Sequence, residues 1–227
     1  MRRLLVVLFT LSGLSRASLE AQTCQGLAPL PSSQLQATGT AMVATGSRTV
    51  GVALVYDLPA RAFGDVGVGT TQVEAFEKSS LDLGASLGYQ LDIGAAGQAQ
   101  VCPLASTSLR LGPNNAFGSG VERSTFGAGI GLAGGTAFQL RPLLSLVPAM
   151  AVGVGHRLHQ AESSAGVSLF RIAETYGFAQ FHVGVVVNQN LSIRPSVEIP
   201  LGREGDDAGL ALTVGYRFGR RHSPSGR

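Results

Sequence analysis

Charge, tryptophan and long hydrophobic runs are what this chain lacks. Only 14% of its 227 residues are Asp, Glu, Lys or Arg, and there is no tryptophan. Its longest apolar run is Leu4 to Leu14, interrupted by Thr10, Ser12 and Gly13. That stretch is about half the ~20 residues a spanning helix needs, so a helical membrane protein is excluded. Two cysteines are too few for a disulfide scaffold. No Lys/Arg cluster stands outside the first residues and the extreme C-terminus, so no nucleic-acid footprint is present. A soluble domain with 31 glycines and so few charges would still show helical core stripes, and none is visible.

The beginning reads as an export leader. A basic head, Met1-Arg2-Arg3, precedes the apolar run, and small residues follow at Ser15-Arg16-Ala17 and at Leu19-Glu20-Ala21. That order marks a secretory signal peptide cut after Ala17 or Ala21, the latter preferred. Arg2-Arg3 has no further twin-arginine consensus behind it. Cutting after Ala21 lowers Lys+Arg from 17 to 14 and Asp+Glu from 14 to 13, leaving about +1. Residues 1–21 are thus assigned to the leader, 22–33 to an N-terminal segment, 34–218 to the folded domain and 219–227 to a tail.

What remains is period-2 alternation. In Leu210 to Phe218 one face reads Leu210, Leu212, Val214, Tyr216, Phe218 and the other Ala211, Thr213, Gly215, Arg217. Strand side chains alternate faces, so one face is large and apolar and the other small or polar. Residues 191–201, 81–93 and 126–140 repeat the pattern, each long enough for a tilted membrane strand. Weaker strands are expected near 35–44, 49–58, 62–73, 101–111, 143–157 and 176–187. Pro148 and Pro195 fall inside strands and imply bulges or interruptions there. The apolar parity slips between Tyr176 and Phe181, which implies another bulge. The sum is an all-β, closed antiparallel barrel of about ten strands, with eight as the alternative. Short connections (58–61, 139–142, 188–190) alternate with longer polar ones (73–80, 112–123, 158–175, 202–208), as periplasmic turns alternate with outer loops.

The leader, the repeated alternation and the closing Gly209-Leu-Ala-Leu-Thr-Val-Gly-Tyr-Arg-Phe218 resemble the small bacterial outer-membrane β-barrel superfamily. The resemblance implies an outer-membrane location in a Gram-negative cell. It also implies lipid as surroundings and the barrel assembly machinery as a partner reading the last strand's aromatic. Phe218 matches that aromatic, but Gly219 to Arg227 follow it, a departure from a free terminal aromatic.

Candidate sites are few. Cys24 and Cys102 are expected to form one disulfide, because an N-terminus and a turn near 94–100 meet at the same end of the barrel. Ala21-Gln22-Thr23-Cys24 lacks the residues of a lipoprotein cleavage box. Asp82, Asp92, Arg110, Arg157, Arg194, Glu198 and Arg217 fall on the small-residue face, hence in the lumen. There they either pair into a closed plug, the favoured reading, or line a narrow water path. Leu210, Leu212, Val214, Tyr216 and Phe218 are the expected lipid face. The glycines at 127, 129, 131 and 135 face the lumen and leave room for arginines or for tight packing. His156 and His159 point to opposite faces and, with His182, carry no metal-ligand spacing. A His159, Ser163 or Ser164, Glu162 set has no flanking motif for hydrolysis. The expectation is a structural or surface-interaction barrel without enzyme activity, cofactor or metal. A passive small-solute channel is the alternative, and a lipid-modifying hydrolase a distant third.

Overall fold

The computed structural model describes residues 23–26, 35–58, 61–74, 78–93, 99–113, 120–202 and 208–218. The leader over 1–21, most of the 22–33 segment and the 219–227 tail lie outside the described residues. A short 3-10 turn, Thr23–Gln25, precedes twelve strands. They are β1 (Leu35–Ala44), β2 (Ser47–Asp57), β3 (Ala62–Val73), β4 (Ser79–Tyr89), β5 (Leu91–Ile93) and β6 (Ala99–Leu111). The second half adds β7 (Val121–Thr136), β8 (Phe138–Arg141), β9 (Leu144–Ser163), β10 (Ser168–Val187), β11 (Leu191–Leu201) and β12 (Gly209–Phe218).

Each strand pairs antiparallel with its neighbour, and β12 returns to β1 with Leu35 opposite Phe218 and Val43 opposite Leu210. The sheet is therefore closed. β5 continues β4 past Gln90, and β8 continues β7 past Ala137, so ten strands make the wall. Closure gives every wall strand two neighbours around the ring.

The alternation settles which face looks outward. Leu210, Leu212, Val214, Tyr216 and Phe218 are between 44% and 63% exposed, whereas Thr213 is 2% and Arg217 9% exposed. The same split runs along β2, where Val50, Val52, Leu54 and Tyr56 are outside, and along β4, where Leu81, Leu83, Leu87 and Tyr89 are outside. Tyr56, Tyr89, Tyr216 and Phe218 gather at the end where β1 begins and β12 finishes, called here the terminal end. Tyr216 and Phe218 stack edge to face at 5.3 Å between centroids.

Prolines within strands sit where a ladder breaks. Pro148 lies beside the step from β7 to β8, since the pairing passes from Gly135–Ala149 to Phe138–Leu146. Pro195 keeps its place opposite Leu212 on β12, while the β10 ladder skips from His182–Ser196 to Val185–Ile193. Pro103 stands where β4 gives way to β5. A missing N–H is tolerated where no partner carbonyl waits for it.

Three expectations need correction. Residues 158–175 are mostly strand rather than loop: β9 and β10 each run 20 residues and turn only at 164–167. The β10 stretch from Ser168 to Tyr176 pairs with β9 past the last β11 partner, Gly177–Leu201, so a ribbon projects from the far end. Similarly β7 begins at Val121, which shortens the 112–123 loop. Nor is there a bulge between Tyr176 and Phe181, where the register with β9 is continuous. The parity slips there because Tyr176 and Phe178 turn inward.

Candidate functional site: the barrel lumen

Large side chains can point into a narrow barrel where the paired residue on the neighbouring strand leaves them room. Phe178 lies across from Gly153, and a Cβ there would stand 2.5 Å from the ring. Tyr176 lies across from Gly155 on the same terms, at 2.5 Å. Phe63, fully buried, lies across from Gly88, which has no room for a Cβ under the ring. Each of these three aromatics is thus seated on a cross-strand glycine. The glycine string of β7 serves the same packing: Gly131 faces Phe178, and Gly127 and Gly129 face Ser108 and Ser106. Its glycines make room for an aromatic and two serines more than for arginines.

Polar groups cover the inner wall toward the far end. Arg110 donates from Nε to Asp82 Oδ1 at 2.6 Å and from Nη2 to Thr71 Oγ1 at 3.1 Å. Thr71 donates to Asp82 Oδ2 at 2.5 Å and meets Thr49 at 2.7 Å. One network therefore ties four consecutive wall strands, β2, β3, β4 and β6. Across the lumen His159 joins Glu174 through Nε2 at 2.9 Å and Thr125 through Nδ1 at 3.0 Å. Arg157 lies over the Tyr176 ring at 4.3 Å, a cation–π contact. Thr49, Asp82, Arg110, Thr125, Arg157 and His159 line a cavity of about 460 Å³, which also takes in Asp65, Gly84, Ser106 and Ser108.

A smaller cavity of about 260 Å³ continues toward the terminal end and shares Thr40, Ala53 and Asp65 with the first. Asp65 accepts a bond from Ser86 there, and Gln180, His182 and Arg194 add to its wall. Its floor is Cys24 and Gln25.

That floor is the principal feature the sequence concealed. Cys24 is bonded to Cys102, both fully buried, with Cα atoms 6.1 Å apart. The bond places Thr23 to Gly26 inside the lumen. Thr23 donates to Gln100 Oε1 at 2.5 Å, Arg194 donates from Nη1 to the Gln25 carbonyl, and the His182 ring packs against Gly26. Gly135 and Gly184 have no space for a Cβ because the carbonyls of Thr23 and Gly26 occupy it. Cys24, Cys102, Phe63, Ala133 and Ala151 form one buried cluster. They come from the segment and from β6, β3, β7 and β9. In the ten-strand ring β3 and β9 are nearly opposite, so this cluster bridges the lumen.

Toward the terminal end the inner faces of β1, β11 and β12 pack together on one side of the lumen. Gln36, fully buried, donates to Ser192 Oγ at 3.1 Å and occupies the space a side chain on Gly215 would take. Arg217 reaches Asn190 Oδ1 at 3.4 Å. Asp92 sits at the rim, bridging Arg61 at 2.9 Å and accepting from Gln100 at 3.2 Å.

Of the seven charges expected in the lumen, Asp82 and Arg110 pair with each other, and Arg157 stacks on Tyr176. Arg194 binds the segment and also Thr213 Oγ1 at 3.3 Å. Glu198 is on the inner face opposite Gln180, and Arg217 and Asp92 lie toward the terminal end. His156 faces outward and meets Thr175 at 3.0 Å. His159 is not joined to Glu162, Ser163 or Ser164; Ser163 Oγ instead accepts from the Val167 amide at 3.2 Å. The hydrolase set is therefore not assembled. Among the described residues no group of three or more His, Cys, Asp or Glu stands together as a metal site would require.

No family model matches the chain, and no curated protein matches it. Among solved structures it is similar to the β domain of the Bordetella autotransporter BrkA: 11% identity, TM-score 0.49, covering 84% of this chain and 100% of that one. It is also similar to Ail of Yersinia pestis, with 14% identity, TM-score 0.40 and coverage of 82% and 97%. A third is the N-terminal β-barrel domain of OprF of Pseudomonas aeruginosa, with 12% identity, TM-score 0.38 and coverage of 82% and 98%. The strand pairing, not these loose superpositions, establishes the barrel.

Proposed function

We propose that this chain is an integral outer-membrane barrel, exported by its leader, with a structural or surface-presenting role and no catalysis. A continuous apolar exterior on a closed sheet is what lipid demands, because hydrocarbon supplies no partner for a backbone N–H or C=O. Both strand termini, at Leu35 and Phe218, meet at one end, which is assigned to the periplasm. The far end, with the projecting β9–β10 ribbon, then faces outside. Lipids surround the wall, and the barrel assembly machinery reads β12.

The observation that carries the structural reading over a channel is the bridged level at Cys24, Phe63, Cys102, Ala133 and Ala151. Among the described residues the lumen is a well that ends, toward the terminal end, on Thr23 to Gly26. A passive channel remains the second reading, favoured by the two cavities that join above that floor. Planar-bilayer recording of oxidised, refolded protein separates them. The expected trace has no stable single-channel steps, and reproducible steps at moderate voltage would overturn the closed-lumen reading.

A further inference from the structure

The floor of the well is not part of the wall. It is four residues outside any strand, Thr23 to Gly26, cross-linked to the wall by one disulfide. The remaining holds are non-covalent: Thr23 to Gln100, Arg194 to the Gln25 carbonyl, and carbonyl-on-glycine packing at Gly135 and Gly184. The wall pairs without it. β6, β7, β9, β10 and β11 each have strand neighbours on both sides, and none of their ladders runs through Thr23 to Gly26. A filling peptide that contributes no strand can leave without opening the barrel.

We infer that the Cys24–Cys102 disulfide is a latch that keeps Thr23 to Gly26 in the lumen, and that breaking it opens the well toward the terminal end. The inference rests on the membrane-barrel reading above. The seal draws on both sides of the bond: Cys24 stands in the bridging cluster with Phe63, Ala133 and Ala151, and Gln25 floors the cavity beside it. Once the segment is free, its polar holds can be replaced by water, since the site adjoins a polar cavity. The space it vacates joins the cavity of about 260 Å³ above it. The chemistry is thiol–disulfide exchange with a dithiol reductant. One reductant thiolate attacks a cysteine sulfur, the Cys24–Cys102 bond breaks, and the second reductant thiolate closes its own disulfide. Two electrons pass to the protein, leaving two protonated thiols.

The test uses inserted, full-length mature protein in lipid vesicles. Two readouts are followed: small-ion flux, and labelling of Cys102 by a bulky maleimide in a Cys24→Ser variant. Heat-modifiable gel mobility first reports whether the barrel is folded; failure there for oxidised wild type would sink the barrel reading itself. With a folded barrel, dithiothreitol or the Cys24→Ser/Cys102→Ser pair should raise flux by on the order of tenfold. Cys102, fully buried in the latched state, should become labelled. Adding Gly184→Ala, which takes the space of the Gly26 carbonyl, should raise both signals further. If the serine variants do not fold, wild type reduced after insertion, with both thiols confirmed free, gives the same answer. A folded, reduced barrel with unchanged flux and a protected Cys102 overturns the latch.

Discussion

Leu83→Arg compared with Gly84→Arg tests the face assignment most directly. The two positions are adjacent on β4 and point to opposite sides of the wall. Leu83 is 40% exposed on the exterior, between Val68 on β3 and Leu109 on β6. Gly84 faces the outer cavity, where the nearest atom to an added Cβ is the Thr107 carbonyl oxygen at 3.8 Å. Asp82 shares that inner face two residues away, so a guanidinium at 84 finds both water and a carboxylate. An arginine on the lipid side near the midplane costs about 2–4 kcal/mol. That is about 30- to 800-fold in the folded-to-unfolded ratio, whereas the lumen arginine should cost less than about 1 kcal/mol. The chain has no tryptophan, so its own fluorescence is a poor probe. The folded fraction is better read from gel mobility of unheated samples across a urea series in lipid vesicles. Equal midpoints for the two variants would mean that the apolar face does not meet lipid. A secreted β-structure with its apolar faces packed together would then be the better account.

Other outcomes follow from single contacts. Thr213→Arg, although on the lumen face, should be poorly tolerated, because Thr213 is 2% exposed and bonds Thr40 at 3.0 Å and Arg194 at 3.3 Å; a urea midpoint equal to wild type would contradict this. Gly153→Val should lower stability by about 1–3 kcal/mol through overlap with Phe178, and Phe178→Ala in the same chain should recover part of it. A recovery of zero in that double variant would mean the ring does not rest on the glycine. Asp82→Asn should leave folding within about 1 kcal/mol, since Arg110 is half exposed and keeps Thr71; a larger drop in the same titration would show a drier lumen than described. Mass spectrometry of the exported protein should begin at Gln22 and show a Cys24–Cys102 linked peptide before reduction. A start at Ser18 would move the cut to Ala17.

The alternation by itself determined the wall. The period-2 pattern of a strand records which side looks outward and which faces the lumen, so Leu210 to Phe218 or Leu81 to Ile93 could be read without knowing any partner. Strand number followed from counting such segments, and the ladder breaks near Pro148 and Pro195 followed from the missing N–H. What fills the lumen was decided only by tertiary structure, because it depends on register between strands far apart in sequence. Phe178 looks like a parity error until the pairing sets it opposite Gly153. His159 has Glu162 close in sequence, yet the register with β10 delivers Glu174 instead. The two cysteines announced a bond, but not that the bonded segment would enter the barrel. Nothing in Thr23-Cys24-Gln25-Gly26 carries a period or a propensity that says so. Its place is set by Gly135 and Gly184, which leave space for its carbonyls, and by Arg194, which reaches across to hold it.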